Sequence, residues 1–331
     1  MSKLRIGSLF SGVGALDLAV EEVFDAETVW QVEFDQSAAT VLDKRFGVPN
    51  YRDVTTVDWA EVPPVDILCG GFPCQDVSAA GRKAGIADGT RSGLWAYFAE
   101  AIDVLRPQYV IIENVRGLLS AKAHRTGDLG YLDADVVLRA GGAVVGDLAD
   151  IGYDARWTTL AAGAVGAPHK RERVFILAHP AGAGLEGPQP LQGWRLGSPR
   201  CCRSAAHTRP GSGGDDLVTT VCKAIRGGLD WGKYQPAIDR WEGLTRPAPH
   251  PVEPNTKGEP RLSARFAEWM MGWPEGWVTD LINPEPRRKV EGTVSRSAAL
   301  KMVGNGVVPQ QAAAALRLLK DSLDNERKGS K

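Results

Sequence analysis

Arg5-Ile6-Gly7-Ser8-Leu9-Phe10-Ser11-Gly12-Val13-Gly14-Ala15-Leu16-Asp17 is the stretch that decides the fold. An apolar run expected as a strand over 5–10 breaks at a Gly-x-Gly turn, and an amphipathic run expected as a helix over 14–24 follows. Glycines in a strand-to-helix turn let a ligand come close to the main chain, as in dinucleotide-binding folds. The third glycine of a pyrophosphate-binding turn is missing, and Asp17 stands in its place. An acid at a helix start repels a diphosphate and suits a cationic or zwitterionic ligand. Glu33 closes a second strand, expected over 28–34, at the offset from Gly12 where an acid accepts from ribose hydroxyls. Asp53 follows a third short segment as a candidate acceptor from an adenine amino group. A plain tight turn is the alternative, but the context favours a nucleoside cofactor, and S-adenosylmethionine fits better than NAD.

The same alternation of short β-branched runs and helical stretches continues outward to about residue 178, the pattern of βαβ units on a parallel sheet. Further strands are expected near 65–70, 109–113, 154–160 and 172–178, with helices near 36–45, 93–105 and 134–151. The 331 residues allow one large α/β unit or two domains. With 43% hydrophobic and 24% charged residues, disordered, collagenous and coiled-coil chains are excluded. The 39 basic and 40 acidic residues leave a net charge of -1, so a nucleic-acid surface must be a local patch. Five cysteines, and a start of Met1-Ser2-Lys3-Leu4-Arg5 with no long apolar stretch behind it, lead us to expect a reducing cytoplasm. The longest aliphatic runs, such as Val110-Ile111-Ile112, are strand-sized, so no membrane association is expected.

Gly70-Gly71-Phe72-Pro73-Cys74-Gln75 stands at the end of an expected strand, where open α/β sheets bind ligands. Cys74 is therefore a candidate nucleophile; the alternative is a packed cysteine, which is how Cys69, inside the strand, reads. Gly81, Gly85, Gly89 and Gly93 then punctuate a loop carrying Arg82, Lys83 and Arg91, either a lid whose cations meet phosphates or a solvated loop. Glu113 ends the next strand as a candidate acid held protonated by an apolar pocket, with Asn114 beside it as a candidate helix cap. Strand alternation puts Arg171 and Arg173 on one face, aimed at one target, with Glu172 opposite; surface ion pairing is the alternative.

Residues 180–260 differ in kind, with 13 of the chain's 38 Gly and 11 of its 21 Pro. Within them, 187–214 lacks any acid and carries Arg195, Arg200, Arg203 and Arg209. Trp194, Trp231, Tyr234 and Trp241 are interleaved, so the segment is either a nucleic-acid surface or an irregular linker. Beyond it, 261–278 reads as a helix ending at Gly272 and a turn, 297–320 as helix interrupted at 304–306, and the last eleven residues as frayed. Cys201, Cys202, His207 and Cys222 form no Cys-x-x-Cys pair, so free thiols and no metal are expected.

At this point the motifs, in order, resemble the DNA (cytosine-5) methyltransferases of bacteria and bacteriophages. Phe10 to Gly14 resembles the family's cofactor motif, Pro73-Cys74-Gln75 its nucleophile signature, Glu113-Asn114-Val115 its Glu-Asn-Val signature, and Arg171-Glu172-Arg173 its Arg-x-Arg segment. Gly304-Asn305-Gly306-Val307-Val308-Pro309 resembles the final motif, which returns to the cofactor pocket. Two departures stand out. His169 occupies a usual Gln position, with a loop contact expected to change, and Gly306 a common Ser position, with a slight change in the cofactor pocket.

The resemblance implies a doubly wound, mostly parallel α/β sheet of the S-adenosylmethionine-dependent, Rossmann-like type with a smaller irregular target recognition domain. The expected division is 1–178 catalytic and cofactor-binding, 179–285 recognition and the conserved segment after it, and 286–331 returning to the catalytic domain. It implies a methyl transfer from S-adenosylmethionine to carbon 5 of a flipped-out cytosine in double-stranded DNA through a Cys74 adduct. Glu113, Arg173, Arg171 and Pro73 complete the implied catalytic set. The implied cofactor residues are Phe10, Ser11, Gly12, Gly14, Leu16, Glu33, Asp53, Leu94 and Asn305. Gln75, Ser78, Arg82 and Lys83, with the four arginines of 195–209, are the expected DNA contacts. A monomer is expected, with a cognate restriction endonuclease acting on the same site without a stable complex. A tRNA cytosine-5 methyltransferase and a catalytically silent DNA-binding protein are the alternatives.

Overall fold

The computed structural model describes residues 2–73, 93–120, 122–125, 136–182, 229–255, 257–285, 288 and 290–329. Strand β1 (Leu4–Leu9) runs through the Gly-x-Gly turn into α1 (Ala15–Phe24), and β2 (Ala26–Val32) into α2 (Gln36–Arg45), whose start Asp35 caps by accepting from Ser37 N and Ala38 N. Strand β3 (Ile67–Gly70), α3 (Leu94–Leu105) and β4 (Tyr109–Val115) follow. A hairpin-like pair, β5 (Lys122–Arg125) and β6 (Val136–Arg139), precedes α4 (Ala140–Asp150), β7 (Tyr153–Ala161) and β8 (Glu172–Pro180). The helix expected over 134–151 thus starts only at Ala140, because the β-branched Val136-Val137 segment pairs as a strand.

The central sheet has the order β2-β1-β3-β4-β8-β7. Strands β2, β1, β3 and β4 are parallel, whereas β8 is antiparallel to both β4 and β7. The mostly parallel sheet that was expected forms, and β8 alone is reversed, for a geometric reason. Only residues 162–171 separate β7 from β8, too short a connection for a crossover helix.

Alternation along the strands sends Ile6, Cys69, Ile111, Phe175 and Leu177 into one core and Leu68, Val110, Ile112, Val174 and Ile176 into another. The first core is covered by α1 and by a long carboxyl-terminal helix, and the second by Phe98 and Ile102 of α3 and Val144 and Leu148 of α4. Buried on both faces, the strands read as continuous apolar runs.

Further along the chain come α5 (Gln235–Leu244), the antiparallel pair β9 (Val252–Pro254) and β10 (Pro260–Leu262), and α6 (Ala264–Met270), capped by Ser263. The helix expected from 261 is shorter because 260–262 pairs with β9. Helix α7 (Arg296–Asn305) and α8 (Pro309–Gly329) complete the chain. Residues 321–329 are helical rather than frayed: Leu323 is fully buried, and Arg156 on β7 bonds Ser322 and pairs with Glu326. Trp241, one of the aromatics that a nucleic-acid surface there would use, is fully buried and donates to the Trp269 carbonyl, and Trp231 stacks on Phe266 at 5.5 Å. Tyr234 alone of the described aromatics in that segment stays exposed. Among the described residues no helix is long and apolar enough to cross a membrane.

Asp17 overturns its reading as a ligand-facing acid. It is fully buried beneath α1, accepting from Ser8 Oγ at 3.0 Å and Gln31 Nε2 at 2.8 Å. Burial lifts its carboxyl from 3.8 to about 6, against those two hydrogen bonds, which lower it. The folded value lies above the unfolded one, so folding favours the protonated acid, and stability is lost as pH rises from 4 through 6. Asp17→Asn, which cannot ionise, escapes a loss of about 3 kcal/mol. Its unfolding free energy relative to the wild type should climb between pH 4 and 7 in urea titrations, and a flat difference would refute the assignment.

Candidate active site

Parallel strands ending side by side make the rim of the site. Leu9, Gly70 and Ile112 lie in one row of the register, so the Gly12 turn, the Gly71-Phe72-Pro73 segment and Glu113 all leave the sheet at the same edge. Because β8 runs the other way, its first residues arrive at that edge too.

Glu113 pairs across with Phe175, which puts Arg173, two residues earlier, on its diagonal and on the same face. Arg173 Nε lies 2.9 Å from Glu113 Oε1, both side chains being largely shielded from solvent. Burial pushes the Glu113 carboxyl up, and the Arg173 and Arg171 guanidiniums pull it back. The backbone of Gly71 approaches this carboxylate so closely that a Cβ there would stand 2.9 Å from Glu113 Oε2. Asn114 is not a helix cap: its buried Nδ2 donates to the Phe72 carbonyl at 2.9 Å, fixing the segment that leads through exposed Pro73 to Cys74.

Arg171 and Arg173 do not converge on one target. The strand begins at Glu172, and Arg171 has φ +24°, so alternation does not extend to it. Its Nη2 donates to the carbonyls of Asn305 at 2.9 Å and Gly306 at 2.6 Å. Burial and the charge of Arg173 lower its guanidinium to about 10, still protonated at neutral pH. Glu172, on the opposite face, pairs with Arg116 at the surface. His169 keeps a loop contact of its own, with Nε2 3.0 Å from the Met270 carbonyl, an acceptor that selects the Nε2–H form, and burial lowers its pKa. Gly306 enters the Arg171 clamp through its carbonyl.

The cofactor side is built around Glu33. Its Oε2 accepts from Gly12 N at 2.8 Å and its Oε1 from Asp35 N at 2.7 Å, and burial raises its pKa against these two bonds. Asn50 Oδ1 accepts from Glu33 N and Arg52 N, which ties the 50–53 segment to the end of β2. Asp53 Oδ1 is taken by Thr55 N and Oγ1, leaving Oδ2 outside that cap. Phe10, with φ +53°, faces Phe98 at 6.3 Å on the helix that Leu94 opens. Ser11 Oγ donates to Ser8 O, Leu16 sends its side chain into the core, and Asn305 is exposed. Two neighbours escaped the sequence reading. Phe34 is 74% exposed directly after Glu33, and Arg52 holds its carbonyl through Nη2 at 2.8 Å. An exposed aromatic next to a strand-ending acid was the available signal.

Cys74, Gln75, Ser78, Arg82, Lys83, Arg195, Arg200, Arg203 and Arg209 lie outside the described residues.

Residues 4–192 match the model of the C-5 cytosine-specific DNA methylases. The chain belongs to that family. The Type II methyltransferase M.NgoBI of Neisseria gonorrhoeae is 30% identical over 187 residues, 56% of this chain and 54% of that protein. M2.BsuMI of Bacillus subtilis is 28% identical over 319 residues, 92% of this chain and 72% of that one. An orphan methyltransferase of Bacillus phage rho11s, M.Rho11sI, is 31% identical over 181 residues, 54% of this chain and 33% of that one. The chain thus spans about half the length, or less, of several curated relatives it matches. Among solved structures, S. pombe Dnmt2 superposes with a TM-score of 0.59 at 16% identity, covering 97% of this chain and 99% of that one. A methyltransferase encoded within an E. coli prophage gives 0.54 at 19% identity, with 97% and 100% coverage. Both share the doubly wound fold with this chain.

Removing the Arg173 guanidinium should push the Glu113 titration higher, since one of the two charges that pull it down is gone. Carboxyl carbon-13 spectra of Arg173→Ala, with Glu113→Gln to assign the resonance, measure this. An unchanged or lower midpoint would mean that the ion pair does not act on Glu113.

Proposed function

We propose that this chain methylates carbon 5 of cytosine in a specific double-stranded DNA sequence, through a covalent adduct with Cys74 and with S-adenosylmethionine as methyl donor. The observation that carries the reading is the Glu113–Arg173 pair at 2.9 Å, set against Gly71 at the strand end that leads into Cys74. Family membership supports it.

Carbon 5 of cytosine is a poor nucleophile, and a thiolate added at carbon 6 turns the ring into an enamine-like species. Cys74 supplies that thiolate. Glu113 bonds ring nitrogen 3 and the exocyclic amine; its raised pKa suits it to carry a proton there as charge develops. Arg173 reaches the carbonyl oxygen at position 2 while holding the Glu113 carboxyl in place. Carbon 5 then takes the methyl group, and loss of its proton and of Cys74 restores aromaticity. The target base has to leave the duplex, at a cost of a few kcal/mol. Gln75, Ser78, Arg82 and Lys83 are assigned to that step, and Arg195, Arg200, Arg203 and Arg209 to DNA contacts that choose the sequence.

The donor set on the cofactor side fits S-adenosylmethionine. A carboxylate fixed by two main-chain amides offers its remaining lone pairs to ribose hydroxyls, Phe34 offers a face for adenine, and Asp53 Oδ2 an acceptor for its amino group. When bound, this molecule supplies a methyl group on a sulfonium. Glu33, Phe10 and the Gly12–Gly14 main chain orient it, and Leu94 and Asn305 complete the pocket. Residues 1–178 carry catalysis, 179–285 recognition, and 286–331 return to the catalytic unit. The chain acts as a cytoplasmic monomer, with its DNA site shared by a cognate endonuclease that forms no stable complex with it.

Bisulfite sequencing of plasmid DNA from a host without its own cytosine methylation tests the reading. Protected cytosines in one short recurring context are expected with the wild type and none with Cys74→Ala, which should still bind DNA. Full conversion with soluble wild-type protein would sink the DNA assignment and direct the same assay to tRNA. Exchanging 180–260 for a relative's segment should move the methylated site; an unmoved site would place sequence choice elsewhere.

A further inference from the structure

The Gly12-Val13-Gly14 turn is held from outside by a segment some 260 residues further along the chain. Trp277 Nε1 donates to the Val13 carbonyl at 2.8 Å. That carbonyl sits between two residues at positive φ, Gly12 at +57° and Gly14 at +87°, where the main chain has few restraints of its own. The inner side of the turn is bonded to Glu33 and Ser11, through Gly12 N and Gly14 N. Trp277 provides the outer bond.

Trp277 itself has little freedom. Residues 272–281 form a strap over α2, and a fully buried carboxylate, Glu268, organises it. Glu268 accepts from Gly276 N at 2.9 Å, Val278 N at 2.7 Å, Thr279 N at 3.0 Å and Thr279 Oγ1 at 2.8 Å. A carboxylate satisfied by four donors in the interior fixes those donors as firmly as they fix it. Arg45, at the end of α2, donates to the Trp277 carbonyl at 2.8 Å and the Gly276 carbonyl at 2.5 Å, and its guanidinium lies 5.4 Å from the Trp277 ring centre. Phe46 meets the same ring edge-on at 5.8 Å and fills the space over Gly14, where a Cβ would stand 2.4 Å from its ring. The strap therefore holds the turn directly through the indole bond to Val13, and Phe46, wedged between the Trp277 ring and Gly14, braces it a second time.

We infer that Trp277 is a positioning residue for the cofactor turn, setting its main chain for S-adenosylmethionine without touching the reacting atoms. The inference rests on the proposed function, which makes that turn the cofactor site. Loss of one hydrogen bond to a flexible turn should weaken cofactor binding roughly three- to tenfold. Trp273 provides a matched comparison. It belongs to the same strap and stacks on Trp277 at 6.2 Å, but its buried Nε1 has no hydrogen-bond partner among the described residues.

Calorimetric titration of the full chain with S-adenosylhomocysteine, for the wild type, Trp277→Phe and Trp273→Phe, is the test. The Trp277 variant should bind three- to tenfold more weakly and the Trp273 variant within twofold of the wild type, with DNA affinity unchanged in both. Hydrogen exchange should quicken in the peptide spanning Phe10–Asp17 for Trp277→Phe alone. Wild-type affinity in Trp277→Phe, or an equal loss in Trp273→Phe, overturns the inference. If Trp277→Phe does not fold, Arg45→Met, which releases the strap carbonyls and keeps the indole, reads the same way: weaker binding supports the inference and wild-type binding overturns it. A wild-type chain that does not bind S-adenosylhomocysteine brings down the proposed cofactor site and this inference together.

Discussion

The ion pair between Glu113 and Arg173 exists because β8 enters the sheet against the direction of β4. In a fully parallel sheet the start of the strand beside β4 would lie at the far edge, and no guanidinium from it could reach a carboxylate at a strand end. The reversal brings Arg173 within 2.9 Å of Glu113 and leaves Arg171, one step outside the strand, free to clamp the 305–306 carbonyls. The short connection after β7 thus determines the chemistry of the rim as well as the topology.

The doubly wound half was readable because its strands are buried on both faces and appear as unbroken apolar runs. Strands expected at 5–10 and 109–113 form at 4–9 and 109–115, and the 36–45 helix forms over the residues expected. Errors arose where one local pattern serves two environments. An acid in the first turn of a helix reads alike whether it meets a ligand or, as Asp17 does, Ser8 and Gln31 beneath the helix. Period-two alternation assumed that Arg171 is part of the strand. Trp231 and Trp241 left a nucleic-acid surface and a linker equally open, and an aromatic on an amphipathic helix is as readily a core residue, which Trp241 is. Trp277 could not be found at all by local reading, since its partner Val13 is 264 positions away.

The Gly12 turn and the rim at Glu113 share supports from beyond residue 230. The Trp277 strap presses on the Gly12 turn, and Arg171 is held by the carbonyls of 305 and 306. Trp241, Trp269 and Arg246 knit α5 and α6 to that strap through indole and guanidinium bonds to carbonyls at 269, 246 and 273. The carboxyl-terminal third is therefore a scaffold for groups supplied by the first half.

Gln311 extends this logic into the timing of synthesis. From the first turns of α8, its fully buried Nε2 donates to both the Leu160 and Arg171 carbonyls at 2.7 Å, bridging the two ends of the loop that aims the arginines. A nascent chain emerging amino terminus first can assemble its sheet through β8 while this bridge is still inside the ribosome. Such an intermediate already carries Glu113 and Arg173, but the loop between β7 and β8 is unbraced. The loop between β7 and β8 is thus braced only once α8 has docked, at the end of synthesis.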